Sequence, residues 1–367
     1  MIGTNGTLKK RVAILIENGV EDDEFQIPYK ALQMAGFEVL VLGSRMNENY
    51  VGKMGKLTMK PDGTTTEAMA SQFDAVVIPG GMAPDLMRTN PNTVRFVQEI
   101  MAQGKLVAAV CHGPQVLIEG DLLRNRTATG FLSIRKDMMN AGANYVNEPV
   151  VIDGNLITSR QPGDLAFFTT AILNYLGYSG KDAALPELAD TNAEWWKLAD
   201  AWGGSTKGDI VKALNTALAG ERYSSESFGS YAEKTSDSEL RSLLLDMIQN
   251  KQHHIQMLEA RLAALGESPS IPAQVADKYA KLKAAVTGSD DIFLLRSTLG
   301  DVQTGVVDIN NLRIKFTDPV STQIFTDIET DMANYEQCLA ALYKKRMFMA
   351  GEVLMPAKPS TSPAVKM

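Results

Sequence analysis

Cysteine and histidine, which supply much of the nucleophilic and metal-binding chemistry of proteins, are scarce in this sequence. The chain of 367 residues holds two cysteines and three histidines. They are Cys111, Cys338, His112, His253 and His254. Without a C-x-x-C pair, the cysteines exclude a cysteine-rich zinc module and a disulfide scaffold, and they are compatible with a reducing cytosol. Such chemistry is therefore centred on two places, Cys111-His112 and His253-His254.

Cys111 stands where a protein can present a nucleophile. The apolar run at residues 105–110 predicts a buried strand, and a helical pattern follows soon after Cys111. A tight turn from strand to helix exposes a side chain at the sheet edge, as in nucleophile elbows, and a helix N-terminus favours thiolate over thiol. His112 can act as general base or hold an oxyanion through its N–H. Gly81 lacks a Cβ atom, so its N–H can serve as a second oxyanion donor.

Glu17 ends the first predicted strand and is expected to point at the same crevice. A carboxyl group held protonated there could donate a hydrogen bond to the thiolate. The alternative is that Cys111 is a small apolar core residue, which is the usual role of a lone cysteine at a strand end. The neighbouring Gly80-Gly81 and the Cys-His-Gly-Pro sequence favour the catalytic interpretation.

Alternating strands and helices must position these residues. The pattern extends to about residue 178 and predicts a doubly wound α/β sheet, whose ligands bind beyond the carboxyl ends of the strands. The predicted strands are 12–16, 37–42, 74–78 and 105–110, the predicted helices are 25–35 and 91–103, and a hairpin joins 150–152 to 156–158. Glu17, Gly81 and Cys111 all fall at carboxyl ends of strands.

Three motifs resemble the ThiJ/PfpI superfamily, and within it the PfpI-type intracellular cysteine peptidase homologues. They are VVIPGG at 76–81, AAVCHGPQ at 108–115 and TSRQPGDL at 158–165. The resemblance covers about residues 10–178 and implies a flavodoxin-like sandwich with a reactive Cys111. It also implies a homo-oligomer, a dimer or larger, because an acidic residue of another subunit orients the histidine in this family.

The positions of the family's other site residues can be matched to residues of this sequence. The resemblance implies a catalytic His112, a buried glutamate at the sulfur that corresponds to Glu17, and Asp85 as the acidic residue from another subunit. Relatives often have glutamate where Asp85 stands, and tyrosine where Phe131 stands. The family includes peptidase, glyoxalase-type, deglycase, chaperone and stress-protection roles, so the resemblance indicates the nucleophile better than the substrate.

Arg160 and Asp164 in the third motif have two open interpretations. Their charges could serve function, or they could form a structural turn after the hairpin.

The periodicity changes after residue 178. Residues 179–205 contain three tryptophans and are interpreted as a linker packed against other parts of the chain. Residues 206–350 show apolar residues at spacings of three and four, which predict four long helices in a bundle and a shorter helix at 271–286. Residues 351–367 are rich in proline, serine and lysine, a composition typical of disorder.

The helical half resembles the ferritin-like superfamily. A di-iron bundle needs one glutamate from each of two helices and Glu-x-x-His from each of the other two. Glu221 and His254 lie on the apolar stripes of their helices, but Lys251 occupies the position three residues before His254, where a ligand glutamate belongs. The fourth helix has no Glu-x-x-His in either register.

We therefore expect no cofactor and no di-iron centre. Glu221, Lys251 and His254 are predicted to form a buried polar network, which is tolerable when every member is paired. A single weak metal site on Glu221 and His254 is the alternative. His253 is expected to face outward, and Cys338 to be a packing residue.

Charge and hydropathy exclude several partners. There are 36 basic and 43 acidic residues, so the net charge is −7, and the pI is about 5.2. This balance argues against nucleic-acid binding. No apolar run approaches a membrane span, and the run at 12–16 is too short for a signal peptide, so the expected location is cytoplasmic.

Two classes of function remain. The first is a cysteine-dependent enzyme in stress protection, acting on a small carbonyl compound or on an amide or peptide bond. The second is a non-enzymatic stress protein that senses oxidants through Cys111 or acts as a chaperone. In either case the bundle could serve assembly, by joining subunits or by covering the dimer surface of the α/β domain.

Overall fold

The structure, a computed structural model, describes residues 9–178, 180, 184–270 and 290–350. The predicted helix at 271–286 and the predicted disordered tail lie outside these residues. The contacts divide the chain into two compact units. The first unit runs to Lys212 and also includes Arg313–Gln323, and the second comprises Ala213–Leu312 and the chain from Ile324 onwards.

The first unit contains the strands of the α/β half. They are β1 Arg11–Leu15, β2 Glu38–Gly43, β3 Tyr50–Val51, β4 Thr58–Met59, β5 Gly63–Thr64, β6 Ala75–Ile78, β7 Leu106–Val110, β8 Thr127–Ala128, β9 Asn144–Tyr145, β10 Val150–Asp153 and β11 Leu156–Ser159. Seven of them form one sheet in the order β10-β11-β7-β6-β1-β2-β5. Only the β10–β11 pair of this sheet is antiparallel, which confirms the predicted hairpin.

Seven helices cover or follow this sheet. They are α1 Asp22–Met34, α2 Ala83–Met87, α3 Pro91–Ala102, α4 Pro114–Glu119, α5 Arg135–Asn140, α6 Leu165–Tyr175 and α7 Trp195–Ala201. The strands β1, β6 and β7 are buried along nearly their whole length, as their continuous apolar sequences predict. The predicted α/β class is therefore confirmed.

The register of the central strands brings the site residues to one sheet edge. Ile14 of β1 pairs with Val77 of β6, and Val77 pairs with Ala108 of β7. The carboxyl ends of these strands therefore lie side by side. Helix α1 starts three residues earlier than its apolar periodicity predicts, because its first turn is the acidic sequence Asp22–Glu24, which the positive end of the helix dipole favours.

The tryptophan-rich segment packs as part of the first unit. Trp195 is fully buried, and its ring meets the Phe167 ring edge-to-face with centroids 4.6 Å apart. Its indole nitrogen donates to the Asp190 carbonyl oxygen at 2.6 Å. This segment therefore contributes to the core of the unit and includes a helix of its own, α7.

The segment Arg313–Gln323 also belongs to the first unit. Thr317 Oγ1 accepts a hydrogen bond from Ser205 N at 2.9 Å, and Gln323 Oε1 accepts one from Arg160 Nη2 at 3.5 Å. Arg313 donates to the side chain of Gln161. The first unit is therefore formed from two separate stretches of the chain.

The long helices of the second half are α8 Lys207–Lys234, α9 Ser238–Ala264, α10 Asp291–Arg313 and α11 Pro319–Ala350. Many of their inward side chains are apolar and nearly fully buried, including Leu214, Leu218, Leu244, Leu258, Leu295, Val302, Ile328 and Leu339. Polar contacts also join the helices: Tyr231 donates to Asp301, and Tyr335 donates to Asp246. Among the helices that the structure describes, none combines the length and the apolar composition that a membrane span requires.

Two constraints require glycine at position 81, a left-handed backbone and the close approach of other backbone atoms. Gly104 has only the first constraint and therefore serves as a control. Gly81 and Gly104 both have left-handed backbone conformations, with φ of 77° and 72°. A Cβ at Gly81 would overlap Gly19 O and Glu21 N, whereas a Cβ at Gly104 would meet nothing within 4 Å.

We predict that Gly104→Ala lowers the free energy of unfolding by about 1–2 kcal/mol, because of the left-handed backbone alone. Gly81→Ala should lower it by about 2 kcal/mol more, because backbone atoms must also move. Denaturant unfolding of both variants measures the difference, and equal losses would contradict the assigned overlap.

Candidate active site

Cys111 occupies a strained elbow at the end of β7. It is a non-glycine residue with a φ of 60°, a left-handed conformation that costs on the order of 1–3 kcal/mol and often occurs at functional sites. Its N–H donates to Ser159 O at 3.0 Å, and its carbonyl oxygen accepts from Phe131 N at 2.9 Å. These bonds fix the backbone of the residue, which is 6% exposed.

His112 connects the thiol to the surface. Its Nδ1 lies 3.2 Å from Cys111 Sγ, and its Nε2 lies 3.2 Å from the hydroxyl of the exposed Ser133. The ring stacks on Phe131, with centroids 5.0 Å apart. Burial lowers the pKa of His112, a shift that Asp85 opposes and Lys53 increases. The lowered pKa keeps the imidazole mainly neutral near neutral pH, and a neutral ring has one nitrogen that can accept a proton.

The buried carboxyl group at the sulfur belongs to Glu24. Its Oε2 accepts a hydrogen bond from Gly80 N at 2.7 Å, and the carboxyl group lies close enough to the Cys111 thiol to raise the pKa of the thiol. A Cβ at Gly80 would lie 2.6 Å from Glu24 Oε2 and 2.8 Å from Cys111 Cβ. Glycine at this position therefore allows the carboxyl group and the thiol to meet.

The expectation that Glu17 lies at the sulfur is wrong. The Glu17 carboxylate accepts hydrogen bonds from Ser44 Oγ and, at 3.0 Å, from Asn18 N. Glu17 directly follows the strand predicted at 12–16, which made it the apparent candidate. Glu24 lies in the first turn of α1. The apolar periodicity of the sequence predicted a helix that begins only at residue 25, so it left Glu24 outside. An early helix start at the acidic residues was the signal that could have identified Glu24.

Burial dominates the ionisation of this pair. Burial, together with the negative charge of Glu21, raises the pKa of Glu24 to about 8. Burial and the nearby Glu24 raise the pKa of the Cys111 thiol, while N–H groups of Gly81 and His112 lower it. The expectation that the helix N-terminus favours a thiolate at Cys111 is therefore wrong for the protein without substrate. Burial raises the pKa of the thiol more than the N–H donors lower it.

Two other expected site residues lie nearby. Gly81 brings its N–H to the Cys111 sulfur. Asp85 is exposed in the first turn of α2. Its negative charge raises the pKa of His112, and no hydrogen bond joins the two residues among the described contacts. The role of Asp85 across a subunit interface stays a prediction.

Arg160 and Asp164 form a buried ion pair. Arg160 Nε and Nη2 donate to the two carboxylate oxygens at 2.9 and 3.1 Å, and Arg160 Nη1 donates to Asn147 Oδ1 at 3.2 Å. Their side chains are 8% and 1% exposed. This geometry favours the structural interpretation of the turn.

The polar network of the second unit joins Glu221 to Lys251 and His254. Lys251 Nζ donates to Glu221 Oε1 at 3.0 Å, and His254 Nδ1 lies 2.8 Å from Glu221 Oε2. His254 Nε2 lies 3.1 Å from Asp331 Oδ2. Burial alone would raise the pKa of Glu221, but Lys251 and His254 together lower it. The predicted network is therefore present, extended by Asp331.

These residues do not fit a di-iron centre. The carboxylates of Glu221 and Asp331 lie on opposite nitrogens of His254, and the ammonium group of Lys251 already neutralises Glu221. Among the described residues, no group of three or more His, Cys, Asp or Glu could hold a metal ion. His253 is exposed, as predicted, but Cys338 is exposed too, so its predicted packing role is wrong.

Known proteins are similar to each half of the chain. The sequence pattern of the DJ-1/PfpI family matches residues 10–175, and that of a domain of unknown function, DUF2383, matches residues 209–306. "Putative cysteine protease YraA" of Bacillus subtilis (strain 168) is 42% identical over 169 residues, which are 46% of this chain and 99% of YraA. "Uncharacterized protein SAV1875" of Staphylococcus aureus (strain Mu50 / ATCC 700699) is 42% identical over 172 residues, with the same coverage.

A solved structure is similar along nearly the whole chain. It is a two-domain protein from Anabaena variabilis ATCC 29413 that contains DJ-1/ThiJ/PfpI-like and ferritin-like domains. The sequences are 63% identical, the TM-score is 0.85, and the match covers 97% of this chain and 100% of that one. The four long helices described above therefore have a ferritin-like fold.

The raised pKa of Glu24 predicts a pH-dependent stability. Between about 4.5 and about 8, Glu24 is protonated when folded and ionised when unfolded, so folding takes up a proton. The wild-type protein should lose up to about 1.4 kcal/mol per pH unit relative to Glu24→Gln across this window. Denaturant unfolding at several pH values measures the difference. Glu99→Gln, at an exposed position on α3, should keep the wild-type profile, and parallel profiles for Glu24→Gln and wild type would contradict the assignment.

Proposed function

The chain belongs to the DJ-1/PfpI family, and on that premise we propose that Cys111 is the nucleophile of an enzyme acting on carbonyl compounds. Candidate substrates are small reactive aldehydes or their adducts, as in glyoxalase and deglycase chemistry, and amide or peptide bonds. The observation that supports this most is the meeting of three groups at one strained elbow: the Cys111 thiol, the His112 imidazole at 3.2 Å and the buried Glu24 carboxyl.

The proposed first step is addition of the thiol to a carbonyl group. The thiol proton passes to His112 Nδ1, a sulfur–carbon bond forms, and the carbonyl electron pair moves to oxygen. The N–H groups of Gly81 and His112 stabilise the negative oxygen. Glu24, protonated below a pKa of about 8, donates a hydrogen bond to the sulfur and keeps its own proton.

His112 then completes the proposed proton balance. For an aldehyde it returns the proton to the oxygen, which gives a thiohemiacetal. For an amide it protonates the leaving nitrogen as the carbon–nitrogen bond breaks, and water later releases the acyl group. The lowered pKa of His112 supports this role, because a mainly neutral imidazole can accept the thiol proton near neutral pH.

Oxidant sensing is a second candidate. Peroxide would oxidise the Cys111 sulfur to a sulfenate and then a sulfinate, with each peroxide reduced to water. The protonated Glu24 carboxyl supports this candidate, since it could donate a hydrogen bond to a sulfinate oxygen.

We propose that the ferritin-like domain serves assembly and carries no metal centre. The ion pair of Glu221 with Lys251 supports this, since a metal ion bound by Glu221 would be repelled by the ammonium group. On this proposal, formation of the expected oligomer depends on the ferritin-like domain as well as on the α/β domain.

The enzymatic proposal predicts that Cys111→Ala abolishes turnover of a reactive-aldehyde and peptide substrate panel. Cys338→Ala is the matched control, because Cys338 is exposed in the other unit, and it should keep wild-type rates. Steady-state kinetics on the whole chain measures both. Turnover that survives Cys111→Ala would refute the proposal, and sulfinate at Cys111 without any turnover would support the sensing role instead.

The metal-free proposal predicts that iron and chelator leave the melting temperature of the wild-type protein unchanged. Lys251→Met should lower the free energy of unfolding by about 3–5 kcal/mol, because Glu221 then stays buried without its cation. Replacing Glu221 with leucine in the same variant should restore much of this loss. Stoichiometric iron in aerobically purified wild-type protein would refute the proposal.

A further inference from the structure

Lys53 is held close to the Cys111 site by its backbone and by its side chain. It lies in the loop between β3 and β4, where its N–H donates to Val20 O at 2.7 Å. Its Nζ lies 3.5 Å from Glu21 Oε2, and its side chain remains 47% exposed. The ammonium group is therefore positioned but accessible to solvent.

The two residues that hold Lys53 also contact the glycine turn of the site. Val20 pairs with Gly81 in an isolated β-bridge, and Glu21 N donates to Gly80 O at 3.2 Å. Gly80 in turn lies against Cys111 Cβ and His112 N. A short chain of backbone contacts therefore fixes the Lys53 loop next to the proposed oxyanion donors.

The charge of Lys53 reaches the reacting groups. Its charge adds to the lowering of the pKa of His112, and it opposes the larger effect of burial, which raises the pKa of Glu24. An ammonium group has three donors, and the contact with Glu21 is longer than the roughly 2.8 Å of a strong charge-assisted hydrogen bond. Donors of Lys53 are thus available to an anionic ligand.

We propose that Lys53 binds the carboxylate of the substrate, so that Cys111 acts on carbonyl compounds carrying a carboxylate, such as 2-oxo acids. This inference rests on the proposed carbonyl chemistry of Cys111. Glu21 orients the ammonium group, and the substrate carboxylate occupies the donors that Glu21 leaves open. The substrate carbonyl group then lies between the Cys111 sulfur and the N–H of Gly81.

Equilibrium binding tests the inference without any turnover. Oxamate, an unreactive carboxylate with an adjacent carbonyl, is titrated calorimetrically into Cys111→Ser protein. We expect saturable binding that Lys53→Gln weakens about fivefold or more and that Lys53→Arg retains. Lys56→Gln is the matched control, because Lys56 is an exposed lysine in the same loop, and it should leave binding within about twofold.

Alkylation of Cys111 gives a second, kinetic measurement. Iodoacetate is anionic and iodoacetamide is neutral, so the ratio of their rates cancels any change in the thiolate fraction. Lys53→Gln should lower this ratio about fivefold or more, while Lys56→Gln should leave it unchanged.

The two measurements separate the possible failures. If oxamate does not bind Cys111→Ser protein, or binds it equally well when Lys53→Gln is added, the inference is overturned, even when Cys111 of the wild-type protein turns over neutral aldehydes. If Lys53-dependent oxamate binding is present but Cys111 reacts with neither reagent, the inference stands as a binding site and the proposed catalysis fails.

Discussion

The first unit is organised around a carboxyl group that has no access to water. Glu24 lies fully buried against the Cys111 thiol, and both groups can meet only because Gly80 has no side chain between them. This contact requires the first turn of α1 and the carboxyl ends of β6 and β7 to converge at one point. The parallel register of the sheet supplies that convergence, and the left-handed backbone of Cys111 turns the sulfur towards it.

The two units bury glutamates with opposite results. In the first unit, burial dominates and raises the pKa of Glu24 to about 8, so its proton can be exchanged near neutral pH. In the second, Lys251 and His254 outweigh burial and lower the pKa of Glu221, so this carboxylate stays ionised. A buried acid that changes its protonation state is suited to chemistry, and one that is permanently paired is suited to holding helices together.

The sequence predicted those features that depend on local pattern. Continuous apolar runs identified the central strands, the Cys-His-Gly-Pro turn identified the elbow, and helical spacing placed Glu221 and His254 on the apolar stripes of their helices. It failed where distant segments meet. Nothing near Cys111 in the sequence indicates that Glu24 rather than Glu17 reaches the sulfur, or that the Lys53 loop lies beside Gly81, because both contacts follow from tertiary packing.

The membership of Arg313–Gln323 in the first unit has a consequence for biosynthesis. A ribosome makes the sheet, the elbow and α1 to α7 early, but Gln323, which hydrogen bonds with the buried Arg160, emerges only after α8, α9 and α10. The first unit therefore remains incomplete until the helices that precede its last segment have been translated. Domains usually fold one after another as they leave the ribosome. Here the order of translation couples completion of the amino-terminal unit to synthesis of the carboxyl-terminal one.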